Sequence, residues 1–226
     1  MLERTSIERT APAFGIPPRG DRTPFFSSHA TLIATEFFYP RDGEMYGESE
    51  PAEFVYQVLR GAARSYKLLS DGRRQIGAFH LPGDIFGLEY GGAHRLTAEA
   101  IIDTNVRMVK RKALEAAARI DADVACRLWT MAAGDLRHAE DHMLLLGRKT
   151  ALERVAAFLL EMDRRTSSAG MLALPMRRRD IADYLGLTLE TVSRTLSQLH
   201  DQGVLTFSGA RQITLRSRSR LAALDA

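Results

Sequence analysis

Three polar side chains with helical spacing, Glu190, Ser193 and Arg194, have the chemistry to read bases. Residues three and four positions apart lie on one face of a helix. In the major groove of DNA, arginine can donate two hydrogen bonds to guanine O6 and N7, glutamate can accept from cytosine N4, and serine can serve either partner. These residues therefore predict direct readout of base edges. The alternative is a solvated helix face that carries an ordinary Glu–Arg pair.

A helix-turn-helix is expected to position these side chains. The pattern predicts a first helix at residues 178–185 that ends at Gly186, because glycine adopts the left-handed backbone at little cost. The hydroxyl of Thr188 can then cap a second helix at residues 189–202. Apolar side chains at helical spacing give each helix a buried face, namely Ile181, Ala182 and Leu185 in the first and Val192, Leu196 and Leu199 in the second.

Basic and hydroxyl side chains around the two helices are candidates for phosphate contacts, which fix position without reading sequence. They are Arg177, Arg178, Arg179, Thr188, Thr191 and Arg211. The charge distribution agrees with this interpretation, because residues 147–226 hold 13 Lys+Arg and 8 Asp+Glu, whereas residues 1–146 hold 18 and 20. A basic C-terminal part on a nearly neutral body favours nucleic-acid binding.

Two short strands predicted at residues 204–207 and 212–215 extend this unit. They follow the two helices and are joined through Ser208-Gly209-Ala210, and a further helix is predicted at residues 151–162. Helices followed by a small hairpin are typical of a winged helix-turn-helix. We therefore expect a winged helix-turn-helix DNA-binding domain at residues 147–226.

The residues upstream predict a β-domain. Short strands separated by turns such as Asp71-Gly72 are predicted at residues 54–59, 63–69, 75–80, 85–90, 98–102 and 106–109. Six strands at this spacing indicate a sandwich or a barrel. We expect this domain at residues 28–112, preceded by a flexible tail at residues 1–27.

Residues 113–146 predict a long helix between the two domains. The stretch lacks proline and is rich in helix-forming residues. An apolar stripe recurs at spacings of three and four, formed by Leu128, Ala132, Leu136, Ala139, Met143 and Leu146. A stripe of this length favours pairing with the same helix of a second copy, and packing on its own chain is the alternative. Cys126, the one cysteine, lies in this helix, so no disulfide can form within the chain, and we interpret it as a small packed residue.

The order of these elements resembles the CRP/FNR family of transcription regulators. The strongest match is Asp180-Ile-Ala-Asp-Tyr-Leu-Gly-Leu-Thr-Leu-Glu-Thr-Val-Ser-Arg194, and together with Phe207-Ser-Gly-Ala-Arg-Gln212 it is most similar to the FixK-type branch. The resemblance implies an α+β fold. Its parts are an N-terminal double-stranded β-helix (a cyclic-nucleotide-binding-like β-roll), a long dimerisation helix and a C-terminal winged helix-turn-helix.

The same resemblance implies a function and partners. Members of this branch are homodimeric activators that bind TTGAT–N4–ATCAA-type palindromes, so Arg194 is expected on the half-site guanine and Glu190 and Ser193 on its neighbours. The genes expected under control serve microaerobic respiration, nitrogen fixation or denitrification. Activation would use a contact with RNA polymerase on the loop at residues 166–171.

Departures from the family pattern bear on ligands. No cysteine precedes Cys126, so an iron–sulfur cluster of the FNR kind is not expected. The Gly-Glu and Arg-Ser pairs that hold a cyclic nucleotide in other members appear here as Gly87-Leu88 and Arg95-Leu96, and the Thr-Ser pair that meets its base appears as Ala139-Glu140. We therefore expect no cofactor and no cyclic nucleotide. The alternative is a sensor whose β-roll binds a different small ligand.

Other classes of function have weaker support. His138 and His142 have a spacing that can bind zinc, but Ala139 stands where the HExxH pattern needs glutamate. We interpret both as surface histidines of the dimerisation helix and expect no metal. The sequence contains no Gly-x-Ser-x-Gly or P-loop pattern that would indicate an enzyme. A β-roll enzyme or structural module with an incidental basic tail is the alternative. No apolar run suits a membrane span or a secretory signal, which predicts a cytoplasmic protein.

Overall fold

The computed structural model describes residues 32–166, 170–209 and 211–225, so the tail predicted at residues 1–27 lies outside the described residues. The strands are β1 (Ala34–Tyr39), β2 (Glu44–Tyr46), β3 (Phe54–Arg60), β4 (Ala63–Leu68), β5 (Arg74–His80), β6 (Ile85–Phe86), β7 (Thr97–Ala100), β8 (Thr104–Lys110), β9 (Met171–Ala173), β10 (Leu205–Gly209) and β11 (Gln212–Leu215). The helices are α1 (Arg111–Ile120), α2 (Ala122–Arg148), α3 (Ala151–Thr166), α4 (Arg178–Leu185), α5 (Leu189–Asp201) and α6 (Arg218–Asp225).

Strands β1 to β8 form a β-roll of two antiparallel sheets, with the orders β1-β8-β3-β6 and β2-β7-β4-β5. The predicted turn at Asp71-Gly72 joins β4 to β5, because Gly72 has a φ of 82° and its N–H donates to the Leu69 carbonyl at 2.9 Å. The long helix α2 follows, and α4, α5 and the small sheet β10-β11-β9 form the winged helix-turn-helix. The predicted fold class is confirmed.

The strand predicted at residues 85–90 is wrong in its extent, since β6 ends at Phe86. Gly87 has a φ of 82°, and a Cβ there would stand 3.0 Å from the ring of Tyr56. The chain therefore turns away at a position that only glycine occupies without strain.

The sequence patterns also miss β1, β2, β9 and α6. Strand β1 exposes most of its side chains and is held by backbone pairing with β8, so it lacks the alternation that marks a half-buried strand. Strands β2 and β9 have only three residues each, which is too short for any period to show.

The single helix predicted at residues 113–146 is in fact two helices. Asp121 between α1 and α2 has an extended backbone, with φ −123° and ψ 109°. Its side chain accepts hydrogen bonds from the N–H groups of Asp123 and Val124, at 2.9 and 3.3 Å. An aspartate in this position is a strong helix N-cap, so α2 begins at Ala122.

One apolar cluster continues from the β-roll into the C-terminal domain. Phe79 of β5 is buried, and its ring lies 5.0 Å from Tyr184 of α4 and 6.2 Å from Phe158 of α3 between centroids. Arg165 at the end of α3 donates to the Phe79 carbonyl at 2.7 Å. The C-terminal domain is therefore packed on β5. No helix in the described part of the chain combines the length and apolarity that crossing a membrane requires.

Candidate nucleic-acid interface

The turn between α4 and α5 has the geometry that its residues predict. Gly186 is left-handed, with φ 60° and ψ 39°, and its N–H donates to the Ala182 carbonyl. The N–H of Leu187 donates to the same carbonyl at 3.0 Å. Oγ1 of Thr188 then accepts from the N–H of Thr191 at 3.1 Å and caps α5. Local hydrogen bonds thus define where α5 starts and how it leaves the turn.

Helix α5 buries one face and exposes another. Val192, Leu196 and Leu199 are buried against the C-terminal core. Glu190 and Arg194 are exposed and Ser193 is half-buried, so the three predicted base-reading residues share the outer face near the helix N-terminus.

On this face, the Arg194 guanidinium can act as a hydrogen-bond donor and the Glu190 carboxylate as an acceptor. No described residue forms an ion pair or hydrogen bond with the Arg194 side chain, so its guanidinium can donate outward. Hydrogen bonds from the backbone N–H of Glu190 itself and from the Thr188 hydroxyl lower the pKa of the Glu190 carboxyl. At neutral pH this carboxylate is therefore an acceptor only.

The residues predicted to contact phosphates lie around this face of α5. Arg177 is exposed at the start of α4, and Arg179 is exposed with Nε 3.4 Å from Oδ1 of Asp183. Thr188 and Thr191 stand at the N-terminus of α5, where backbone N–H groups and the helix dipole favour an anion.

Arg178 and Arg211 are more constrained than the other candidates. The Arg178 guanidinium lies 5.4 Å from the ring centroid of Phe207, and the His200 ring stacks on the same Phe207 with centroids 5.4 Å apart. Nη1 of Arg211 donates to the Pro175 carbonyl at 3.2 Å. These contacts connect the wing to α4 and α5, and periodicity along one helix gives no sign of them.

Helix α2 carries an exposed apolar seam. Trp129, Leu136 and Met143 are spaced by seven residues and are 75%, 61% and 65% exposed. Ala132, Ala139 and Leu146 each follow three positions later, which completes the a and d positions of a heptad repeat. A seam of this kind is typical of a helix that pairs with another helix.

The seam differs from the predicted stripe at one residue. Leu128 packs against the cluster of Val55, Val109 and Leu114 within its own chain and is therefore not on the exposed seam. Trp129, and not Leu128, is the first exposed residue of the seam. The seven-residue spacing of Trp129, Leu136 and Met143 is the sequence signal that would have identified it.

Aromatic and histidine rings fill the interior of the β-roll. The rings of Tyr46 and His94 stack with centroids 3.5 Å apart, and those of His80 and Phe86 with centroids 4.3 Å apart. Nε2 of His80 lies 2.6 Å from Oγ of Ser65. Burial raises the pKa of the Tyr46 phenol far above its ordinary value and lowers that of the His94 imidazole, so both rings are neutral at pH 7.

The interpretation of His138 and His142 as surface histidines is wrong. The His142 ring stacks on Tyr184 with centroids 4.3 Å apart, and burial lowers its pKa. Nε2 of His138 lies 3.4 Å from the Tyr184 hydroxyl, which also donates to Glu161 at 3.3 Å. Both histidines therefore pack between α2 and the helix-turn-helix. Among the residues that the structure describes, no group of three potential ligands is arranged to hold a metal ion.

Comparisons with known proteins agree with this arrangement. Residues 153–224 match the Crp-like helix-turn-helix domain, and residues 36–121 match the cyclic nucleotide-binding domain. The chain is 46% identical over 198 residues to the nitrogen fixation regulation protein FixK of Azorhizobium caulinodans, covering 85% of this chain and 80% of the relative. It is 40% identical over 193 residues to FixK of Rhizobium meliloti, covering 85% and 87%.

A solved structure is also similar to this chain, and the similarity extends over nearly the whole length of the solved protein. FixK2 from Bradyrhizobium japonicum superposes with a TM-score of 0.84 at 76% sequence identity, over 86% of this chain and 98% of that one. These relatives are regulators and not enzymes.

Proposed function

The chain belongs to the CRP/FNR family of transcription regulators and has a helix-turn-helix DNA-binding domain, and we propose that it is a homodimeric activator that binds TTGAT–N4–ATCAA-like palindromes. The genes under its control serve nitrogen fixation, as the names of its relatives suggest, or microaerobic respiration and denitrification.

The observation that carries the proposal is the exposed Arg194 on the outer face of a capped α5. Its guanidinium points from a rigid helix and has the fork geometry that matches guanine O6 and N7. Glu190 one turn earlier accepts from cytosine N4, and Ser193 contacts a neighbouring base. Each such contact contributes about 1–3 kcal/mol of discrimination between bases.

Phosphate contacts position this face on the duplex. Arg177 and Arg179 at the start of α4, with Thr188 and Thr191 at the start of α5, suit the backbone on one side of the groove. Arg178 and Arg211 contribute a positive charge and support the wing through their contacts with Phe207 and Pro175.

The seam of α2 supports dimerisation. Pairing of Trp129, Leu136 and Met143 with the same residues of a second copy would bury three large apolar side chains per chain. A two-fold dimer presents two copies of α5, and successive major-groove faces of DNA lie about 34 Å apart, one helical turn. The palindromic site follows from this symmetry.

The β-roll is proposed to act without a bound effector. Stacked rings such as Tyr46 on His94 and His80 on Phe86 occupy its interior, and Arg95 has no hydroxyl neighbour like that of the cyclic-nucleotide-binding members. Isothermal titration calorimetry with cyclic AMP and cyclic GMP distinguishes this proposal from a ligand-gated sensor. Heat of stoichiometric binding would favour the sensor.

The loop at residues 166–171 is proposed to contact RNA polymerase. Residues 167–169 lie outside the described residues, and Met171 beside them is 68% exposed. A Met171→Glu variant is expected to bind the palindrome normally but to lose activation in transcription with purified polymerase. Unchanged activation would contradict the assignment.

Fluorescence anisotropy tests the reading of DNA. The purified protein, without effector and at a fixed salt concentration, is titrated into a labelled TTGAT–N4–ATCAA duplex and a scrambled duplex, because phosphate contacts make affinity depend on salt. We expect tight binding to the palindrome alone, and a loss of about tenfold or more in Arg194→Ala. Arg119→Ala, at an exposed position of α1, is the matched control. Equal affinity of Arg194→Ala and Arg119→Ala for the palindrome would refute the assigned role.

A further inference from the structure

Two arginines of the β4–β5 hairpin, Arg64 and Arg74, reach the first helix of the helix-turn-helix. Nη1 of Arg64 donates to Oδ1 of Asp180 at 2.8 Å, and Nη2 of Arg74 donates to the same oxygen at 2.7 Å. Nε of Arg74 donates to Oδ2 of Asp183 at 2.9 Å. Glu99 of β7 accepts from Arg64. These five side chains are called here the interdomain ion cluster.

The centre of the interdomain ion cluster is shielded from water, whereas Arg74 at its rim is partly exposed. Asp180 is 2% exposed and Arg64 is 7% exposed. Exposed ion pairs contribute little, whereas the loss of one partner of a buried pair leaves an uncompensated charge. Tyr66 of β4 holds the arginine side in place, because its hydroxyl donates to Glu99 at 3.2 Å and its ring lies 5.4 Å from the Arg74 guanidinium. The two guanidinium groups are therefore oriented by the β-roll itself.

The two carboxylate oxygens of Asp180 bind different groups, one from the β-roll and one from the start of α4. While Oδ1 binds the two arginines, Oδ2 accepts from the backbone N–H of Arg177 at 2.9 Å and caps the first turn of α4. Near the other end of α4, Nε2 of Gln75 donates to the Tyr184 carbonyl at 3.2 Å. Attachment near both ends defines the direction of a helix. Since α4 packs against α5 and only three residues connect them, the β4–β5 hairpin also defines the direction of α5.

We propose that Arg64 and Arg74 are positioning residues for DNA binding, which orient the recognition helix α5 on the β-roll and so set the half-site spacing that the dimer accepts. The inference rests on the proposed function, a dimer on a palindrome. Two recognition helices that are held rigidly meet both half-sites without loss of orientational freedom, but only at one spacing. A loosened domain binds less tightly and tolerates other spacings.

The spacing preference tests the proposal. Arg74→Gln removes one charge at the rim of the interdomain ion cluster, and Arg74 is not among the residues proposed to contact DNA. The matched control is Arg73→Gln, since Arg73 is exposed and pairs with Asp71 of its own hairpin. Anisotropy at fixed salt compares palindromes with spacers of three, four and five base pairs.

We expect Arg74→Gln to lose about tenfold in affinity for the four-base-pair spacer and to lose most of its preference over the other two. Arg73→Gln should match the unaltered protein. A mere loss of folded protein would lower all three affinities together and leave their ratios unchanged. Unchanged ratios in Arg74→Gln, or tighter binding to the four-base-pair site, would overturn the proposal.

The positioning role of Arg74 can also be tested without DNA, independently of the proposed function. A nitroxide at Ser197→Cys, an exposed position on α5, in a Cys126→Ser background reports the distance between the two recognition helices by double electron–electron resonance. We expect Arg74→Gln to broaden this distance distribution and Arg73→Gln to leave it narrow. Failure of the unaltered protein to prefer the palindrome would refute the proposed function alone, whereas an unchanged distribution in Arg74→Gln would refute the positioning role.

Discussion

Gly186 in the turn of the helix-turn-helix lies against Leu146 at the end of α2, since a Cβ at Gly186 would stand 3.4 Å from Cδ2 of Leu146. The turn also lies within reach of Arg154, whose Nη1 donates to the Leu185 carbonyl at 2.9 Å. The end of the proposed dimerisation helix thus touches the residue that ends α4. The proposed dimer pairing through α2 would therefore bear directly on the placement of α5.

Gly186→Ala should lower the free energy of unfolding by about 1–2 kcal/mol, because its φ of 60° is strained for any residue with a Cβ. Gly134→Ala is the control, since Gly134 lies inside α2 and a Cβ there meets nothing within 4 Å. That variant should gain about 1 kcal/mol through helix propensity. Urea unfolding measures both. A Gly186→Ala protein as stable as the parent would contradict the backbone account.

Trp129→Ala should weaken self-association strongly. Each copy loses one large side chain of the seam, at about 1.5–3 kcal/mol each, so the dissociation constant of the dimer should rise by about a hundredfold or more. Arg137→Ala, an exposed position of α2 next to the seam, should leave association unchanged. Sedimentation equilibrium over a concentration series measures both constants. Equal constants for the two variants would exclude the seam as the dimer contact.

Stability should fall in mild acid because of His142. Burial lowers the pKa of this imidazole, and neither of its ring nitrogens has a hydrogen-bond partner among the described residues. Above the ordinary histidine pKa of about 6.5, the folded and unfolded states are both neutral. As the pH falls below that value, the unfolded state takes up the proton first, and stability is lost.

His142→Phe keeps a ring on Tyr184 and removes this titration. Compared with the parent, the variant should lose less stability between pH 7.5 and pH 5.5, as measured by urea unfolding at each pH. His94, whose pKa burial also lowers, should leave part of the acid sensitivity in both proteins. Parallel stability curves for parent and variant would contradict the role given to His142.

Arg165→Met should destabilise the protein by about 3–5 kcal/mol, because it leaves the buried carboxylate of Asp84 without its charged partner and with only the N–H of Leu81 as a donor among the described residues. The side chains of Arg165 and Asp84 are 4% and 1% exposed. Arg165 also donates to the Phe79 carbonyl and so connects α3 to the β-roll. Arg164→Met at the neighbouring exposed position is the control. A comparable unfolding free energy for the two variants would show that Asp84 is satisfied in another way.

The helix-turn-helix could be predicted from the sequence because its determinants are local. Gly186 and Thr188 act on backbone groups within a few residues, and the spacing of Glu190, Ser193 and Arg194 decides their shared face without reference to the rest of the chain. Strand periods and the Asp71-Gly72 turn likewise predicted most of the β-roll. The break at Asp121 is equally local, because this side chain accepts from N–H groups only two and three residues further on.

Other features depended on where distant residues meet. Leu128 faces its own β-roll and Trp129 faces outward, and this choice depends on the position of the β-roll relative to α2. A helical period describes a stripe but does not say which neighbour covers it. The packing of His138 and His142 on Tyr184 has the same cause, because α4 comes to α2 only through the tertiary fold.

The sequence by itself determined the family, the order of the domains and the side chains proposed to read DNA. The tertiary structure alone decided how the DNA-binding domain is held on the β-roll. Arg64 and Asp180 are separated by 116 residues and meet at 2.8 Å. Arg64 belongs to no motif, and the helix-turn-helix segment that begins at Asp180 gives no sign of this partner. Their attraction acts only after the hydrophobic core that joins the two domains has folded and excluded water from the pair.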